Sequence, residues 1–181
     1  MKKRVIGAIL VAALMLAGCG ASNEKTISNQ SQTAGTSGEN SKENTSSYEG
    51  YVFESNGVSV EVDGDFSKFE AGLGEPANYY EAPSCAFGDL DKVYTYSGFE
   101  IDTYQTEGVD HVSAVIFLDD SVATPEGLCI GDSVDKVTEL YGEATTADDT
   151  QMIFEKGGMK LVILLKDGTV STIEYLSKVL D

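Results

Sequence analysis

Ile130-Gly131-Asp132-Ser133-Val134-Asp135-Lys136-Val137-Thr138-Glu139-Leu140-Tyr141-Gly142-Glu143-Ala144 is the stretch on which the reading of this chain turns. Ser133 offers a side-chain oxygen to the free N–H groups that open a helix. Val134, Val137 and Leu140 or Tyr141 then recur at helical spacing, and Gly142 ends the run. A gapless counterpart lies upstream, where Asp65-Phe66-Ser67-Lys68-Phe69 and Leu73-Gly74-Glu75-Pro76 match Ser133-Val134-Asp135-Lys136-Val137 and Tyr141-Gly142-Glu143-Ala144. Two more blocks agree in the same order: Gly98-Phe99-Glu100-Ile101 with Gly158-Met159-Lys160-Leu161, and Val112-Ser113-Ala114-Val115-Ile116-Phe117-Leu118 with Val170-Ser171-Thr172-Ile173-Glu174-Tyr175-Leu176. The pattern predicts an internal duplication, repeat one at about 58–120 and repeat two at about 126–181.

Working outward, each unit opens with a short helix, at 66–73 in the first and from Val134 in the second. Alternating β-rich runs follow at 92–96, 99–104 and 111–118, then at 151–155, 159–165 and 170–176. Ser97-Gly98, Gly157-Gly158 and Asp167-Gly168 have the composition of hairpin turns, and a leading hairpin is centred on Asn56-Gly57. The predicted fold class is α+β: two tandem repeats of short helix plus antiparallel β-meander, their sheets forming one curved open face. Residues 79–90 read as an insertion in the first unit, either a binding loop or the cover of one sheet edge.

The helix signature and the strands after it resemble two related families, the small outer-membrane assembly lipoproteins and the β-lactamase inhibitory proteins, the latter built from two such units in tandem. The likeness spans roughly 62–176. It implies a curved sheet whose concave, aromatic-rich face grips a partner protein. The hairpin with which that family enters an enzyme cleft has no counterpart here, so the likeness carries over the scaffold and not β-lactamase inhibition. The first unit departs from the signature, since Val62-Asp63-Gly64-Asp65 lacks the Gly-x-Ser/Thr step.

The chain begins with a targeting pattern. Lys2, Lys3 and Arg4 precede an apolar run at 5–16, and Leu16-Ala17-Gly18-Cys19 is a small-residue cleavage site ending in cysteine. It resembles the bacterial lipoprotein signal, which implies that Cys19 is lipidated and the protein is held at the cell membrane, facing outside the cytoplasm. The run is shorter than the roughly 20 residues a spanning helix needs. Of the 29 residues at 20–48, 20 are Ser, Thr, Asn, Gln or Gly, too polar to offset backbone entropy by burial. They read as a disordered tether, leaving 49–181 as the folded domain.

Charge excludes one class of partner. The whole chain carries a formal charge of −18, and 49–181 holds seven lysines, no arginine and 27 carboxylates. Such a surface repels phosphate backbones, so nucleic acid is excluded, and a cationic partner is favoured over an anionic one. Strand alternation puts Glu100, Asp102 and Tyr104 on the face opposite Ile101 and Thr103. With Tyr94, Tyr96 and Ile116 they are the candidate protein-binding surface; tyrosines there serve equally as strand formers.

Other chemistry finds little footing. His111 is the single histidine, and no nucleophile elbow, zinc-ligand helix or phosphate loop accompanies it. Cys85 and Cys129 are either a disulfide, which an extracytoplasmic site permits, or two separate thiols. Asp63-x-Asp65-x-Ser67 echoes the start of a calcium loop, but Lys68 and Gly74 stand where that loop needs glycine and glutamate. No catalytic residue, metal site or cofactor is expected. The expectation is a non-enzymatic, lipid-anchored module that binds an envelope protein bearing a basic patch, as inhibitor or adaptor. The alternative is a lipoprotein that binds a small ligand or cation.

Overall fold

The computed structural model describes residues 48–87, 89–179 and 181. These residues fall in one compact unit, Asn44–Asp181. The signal, the lipidation site Cys19 and nearly all of the tether lie outside the described residues.

Hairpin β1 (Val52–Ser55) and β2 (Val58–Glu61) turns on Asn56-Gly57 and leads into helix α1 (Ser67–Leu73). Strands β3 (Asn78–Pro83), β4 (Leu90–Thr95), β5 (Phe99–Thr106) and β6 (Val109–Phe117) follow. Helix α2 (Val134–Tyr141) then precedes β7 (Thr146–Ala147), β8 (Gln151–Lys156), β9 (Met159–Lys166) and β10 (Thr169–Ser177). The sheet order is β3-β4-β5-β6-β10-β9-β8-β7. The first part of the stretch read as an insertion, 79–83, belongs to edge strand β3, with Tyr79 and Tyr80 exposed.

The predicted class is corrected by this topology. The protein is mostly β, with one eight-stranded antiparallel sheet, a two-stranded sheet, and helices of only 7 and 8 residues. It is not an α+β fold of tandem helix-plus-meander repeats. The physical cause is the join between β6 and β10, where Ala114, Val115 and Ile116 pair with Leu176, Tyr175 and Glu174. That pairing satisfies backbone groups that two separate meanders would leave on open edges.

Beyond the join, the segments entering the helices complete the ladder. The Asp63 N–H donates to the Val112 carbonyl at 2.8 Å, the Val112 N–H to Gly64 at 3.0 Å, and the Phe66 N–H to Asp110 at 2.8 Å. On β10 the Gly131 N–H donates to Val170 at 2.8 Å, the Val170 N–H to Asp132 at 2.8 Å, and the Val134 N–H to Gly168 at 3.2 Å. Ser133 caps α2 by accepting from the Lys136 N–H. In α1 the cap work falls to Asp65, which accepts from the Ser67 N–H at 3.1 Å and its hydroxyl at 2.7 Å.

Alternation sorts the sheet into two faces. Tyr94, Phe99, Ile101, Val112, Val115, Phe117, Ile163, Leu161, Phe154 and Tyr175 belong to a single core with Phe53 of β1, Phe66 and Phe69 at α1, and Val137 of α2. Phe53 packs its ring on Phe99 at 4.7 Å and on Phe117 at 5.4 Å, so the leading hairpin lies on the helix side too. No helix or strand of the described residues packs on the other face.

Candidate functional site

The helix-free face is read across the strands from their register. One row runs Thr95, Glu100, Ile116, Glu174, Val162 and Ile153; the next runs Val93, Asp102, Ala114, Leu176 and Lys160. Ile116, Leu176, Leu164 and Ile153 are partly exposed, while Ala114 and Val162 are buried between longer neighbours. The result is an aliphatic band bordered on the β5 side by Glu100 and Asp102 and interrupted by Glu174.

These three carboxylates stand apart from the ion pairs of the described residues. Lys92 pairs with Asp110, Lys136 with Asp132, Lys160 with Asp181 and Lys178 with Glu155. Glu100 accepts a hydrogen bond from the Thr95 hydroxyl at 3.1 Å. Asp102 Oδ1 is buried without a hydrogen-bond partner. Burial, then the charges of Glu100 and Asp91, push the Asp102 carboxyl up to about 6, and burial raises that of Glu174.

A β-bulge shapes the ground beside Asp102. Asp102 faces Ala114 and Thr103 faces Val112, so Ser113 is the extra residue of β6. A cavity of about 270 Å³ opens here, lined by Cys85, Asp91, Val93, Asp102, Tyr104 and Ser113 among others.

The residues read as candidates from the sequence separate on this geometry. Glu100, Asp102 and Ile116 do stand together on the helix-free face. Tyr104 shares it but is 8% exposed, its ring stacked on Phe87 at 4.5 Å and on His111 at 5.4 Å. Its hydroxyl donates to Asp63 Oδ1 at 3.2 Å, and burial with the Asp63 charge holds the phenol up to about 12. Tyr94 and Tyr96 are corrections. Tyr94 pairs with Ile101, its ring lies 4.4 Å from that of Phe66, and both tyrosines are 7% exposed on the helix side. The Ser97-Gly98 turn carried the missed signal: a two-residue turn pairs Tyr96 with Phe99, which forces Tyr94 opposite Ile101. Strand alternation and the repeat also put Val162, Leu164 and Glu174 on this face, but none of them, nor Leu176, is among the sequence candidates; the β6–β10 pairing that sets Glu174 and Leu176 beside Ile116 and Ala114 has no local signal.

The remaining sequence candidates have structural roles. Cys85 and Cys129 are free thiols, Cys85 exposed and Cys129 partly buried, so the disulfide reading is corrected. Asp65 caps α1, while Asp63 accepts from Tyr104 and Ser177. Among the described residues no group of three or more His, Cys, Asp or Glu is placed to hold a metal ion. His111 Nδ1 meets the Asp63 carbonyl at 3.1 Å.

Comparison with known proteins adds little. No family model matches the chain, and no curated protein matches it. One solved structure, an extracellular protein containing an SCP domain from Bacillus anthracis, aligns at 13% identity over 65% of this chain with a TM-score of 0.39. The alignment takes in 44% of that protein's length, and a likeness at this level supports no conclusion about fold or activity.

Proposed function

We propose that this chain is a non-enzymatic protein-binding module of the cell envelope, lipid-anchored at Cys19 and displayed outside the cytoplasm, which docks a partner protein on the helix-free face of its sheet. The observation that carries the reading is the composition of that face. An aliphatic band of Ile116, Leu176, Leu164 and Ile153 lies beside Glu100, Asp102 and Glu174, none of which takes part in the four ion pairs among the described residues. Burying an uncompensated carboxylate is unfavourable, and a cation from a partner offsets that cost while the band supplies apolar contact area. The occupant is therefore a protein whose contact patch is basic around an apolar centre. Electrostatic attraction by a chain of formal charge −18 speeds its arrival.

The reading is tested by placing a photo-crosslinking residue at Ile116, or at Ser67 on the exposed surface of α1, in the full chain within its own envelope. The expected result is one protein joined through position 116, lost with Glu174→Lys, and not joined through position 67. Equal capture from both positions, or none from 116, rejects the face.

A further inference from the structure

The two edges of the eight-stranded sheet are unequal. At one lies β7, two residues long; at the other lies β3, six residues long and five of them exposed. Three hydrogen bonds give the direction of the backbone groups of β3. The Tyr96 N–H donates to Phe99 on β5, the Ala77 N–H donates to Thr95, and the Ser84 N–H donates to Asp89 in step with the β3–β4 ladder. Antiparallel ladders alternate, so Tyr80 and Ala82 bond to β4, while Tyr79, Glu81 and Pro83 turn their backbone groups away from the sheet. The open edge therefore offers donors at 79 and 81 and acceptors at 79, 81 and 83. Pro83, which has no N–H, ends the run of donors.

The side chains around this edge suit an added strand. Sheets commonly blunt a free edge with lysine or a covering segment, and β3 has neither among the described residues. Tyr79, 46% exposed, lies on the helix side with its ring 5.0 Å from that of Tyr94. Tyr80, 61% exposed, lies on the helix-free face and continues the row of Val93, Asp102 and Ala114. Glu81, on the helix side, accepts from the Tyr79 hydroxyl and belongs to none of the four ion pairs of the described residues. It faces Lys92 on β4, but that ammonium group is held by Asp110 at 2.7 Å. A carboxylate without a cation thus stands at the middle of the free ladder, flanked by two exposed aromatic rings.

We infer that β3 is the docking edge for one extended segment of the partner protein, added antiparallel as a further strand of the sheet. In that arrangement the segment bonds to the backbone of Tyr79 and Glu81 and to the Pro83 carbonyl. A lysine or arginine of the segment faces Glu81, and its next two residues, both apolar, face Tyr80 and Tyr79 in turn. A second copy of this chain is the poorer occupant, because it brings a formal charge of −18 and has no lysine or arginine on β3 to set against Glu81. The inference rests on the proposed reading in one respect: the basic protein docked on the helix-free face supplies the strand, and Tyr80 joins that face to the edge.

The probe is a backbone-cyclised hairpin peptide with two D-Pro-Gly turns. Its open strand reads Thr-Lys-Val-Phe-Thr, with the Lys and Phe amides turned outward, and its other strand is N-methylated at the outward positions. Such a ring is pre-organised and avoids the ordering cost of a linear peptide. The peptide is titrated into the full chain, and amide hydrogen exchange is followed by NMR. Saturable protection of the Tyr79 and Glu81 amides is expected, whereas those of Tyr80 and Ala82 are protected already in the free chain. N-methylation of the Lys and Phe amides is expected to raise Kd about tenfold, a loss of about 1.4 kcal/mol. Glu81→Pro, which removes one outward donor and leaves the β3–β4 bonds in place, is expected to do the same, with the Tyr80 and Ala82 amides reporting that the strand is intact. Exchanging the peptide's Lys for Glu is expected to weaken binding about tenfold, and Glu81→Lys to restore it.

Absence of saturable protection, equal binding of the N-methylated peptide, or binding indifferent to the Lys-to-Glu exchange overturns the inference. Self-association of the full chain in sedimentation, abolished by Glu81→Pro, gives the edge to a second copy and overturns it as well. The titration needs no native partner. Protected amides without a crosslink at position 116 uphold the edge and reject the face, and a crosslink at 116 without protected amides does the reverse.

Discussion

The Ser177 hydroxyl donates a 2.6 Å hydrogen bond to Asp63 Oδ1 across 114 residues of sequence. The same oxygen accepts from Tyr104, the Asp63 N–H reaches the Val112 carbonyl, and His111 Nδ1 meets the Asp63 carbonyl. One residue thereby ties the segment entering α1 to β5, β6 and β10, beside the join that makes the sheet continuous. Asp63 has φ +64°, a left-handed conformation that aspartate and asparagine tolerate better than most residues.

Replacing this residue tests the tie. Asp63→Ala removes a charged acceptor from two hydrogen bonds and places alanine in the left-handed region, an expected loss of about 2–4 kcal/mol. Asp63→Asn keeps both the conformation and an acceptor oxygen and loses less. Urea unfolding of the two variants checks the order, and an alanine variant of wild-type stability denies the tie any structural weight.

Asp102 makes stability depend on pH. Its folded-state value is raised from 3.8 to about 6, so its contribution is fully present below 3.8 and is lost as pH rises through about 6. The shift corresponds to up to about 3 kcal/mol. Asp102→Asn and Asp102→Leu are therefore expected to stabilise the protein above pH 7 and to change it little at pH 4. Denaturant titrations at pH 4, 5, 7 and 8 measure this, and a wild-type-to-variant difference that stays constant with pH contradicts the desolvation argument.

Tyr94→Ala and Tyr104→Ala separate core from surface. Tyr94 packs against Phe66 and Tyr79, and Tyr104 is held between Phe87 and His111. Each truncation is expected to cost about 3 kcal/mol or more, as large aromatic deletions in cores do. Thermal unfolding that moves by less than the equivalent of about 1 kcal/mol shows that ring to be a surface anchor after all.

Glu174→Lys changes binding without changing the fold. Glu174 lies opposite Ile116 on β6 and Val162 on β9, in the helix-free face. Partner association is expected to slow and to lose part of its dependence on salt, since one attractive charge becomes repulsive. Stopped-flow association at low and high ionic strength, with circular dichroism as the check on folding, gives the result; unchanged rates place the contact elsewhere.

Much of the local structure is legible in the sequence, because its signals are short-range. Period-two alternation and the turns at Asn56-Gly57, Ser97-Gly98 and Asp167-Gly168 locate most strands within one or two residues. Ser133 and Gly142 bound the second helix. Asp102, Glu100 and Ile116 follow from alternation alone. Tyr94 and Tyr96 went to the wrong face because alternation within one strand is silent about its register to the next, which the length of a turn decides.

The sequence by itself determined the strand-rich character of 49–181, its acidic charge and the residues that cap and break its helices, since each depends on neighbours within a few positions. The tertiary structure alone decided that β6 pairs with β10, making one mostly-β sheet and setting Glu174 and Leu176 alongside Ile116 and Ala114. It also decided that Asp102, half-buried beside a bulge, keeps its Oδ1 out of solvent without a partner. Those outcomes depend on hydrogen bonds and packing between segments about 60 residues apart, and no local pattern in the chain encodes which distant strand satisfies which edge.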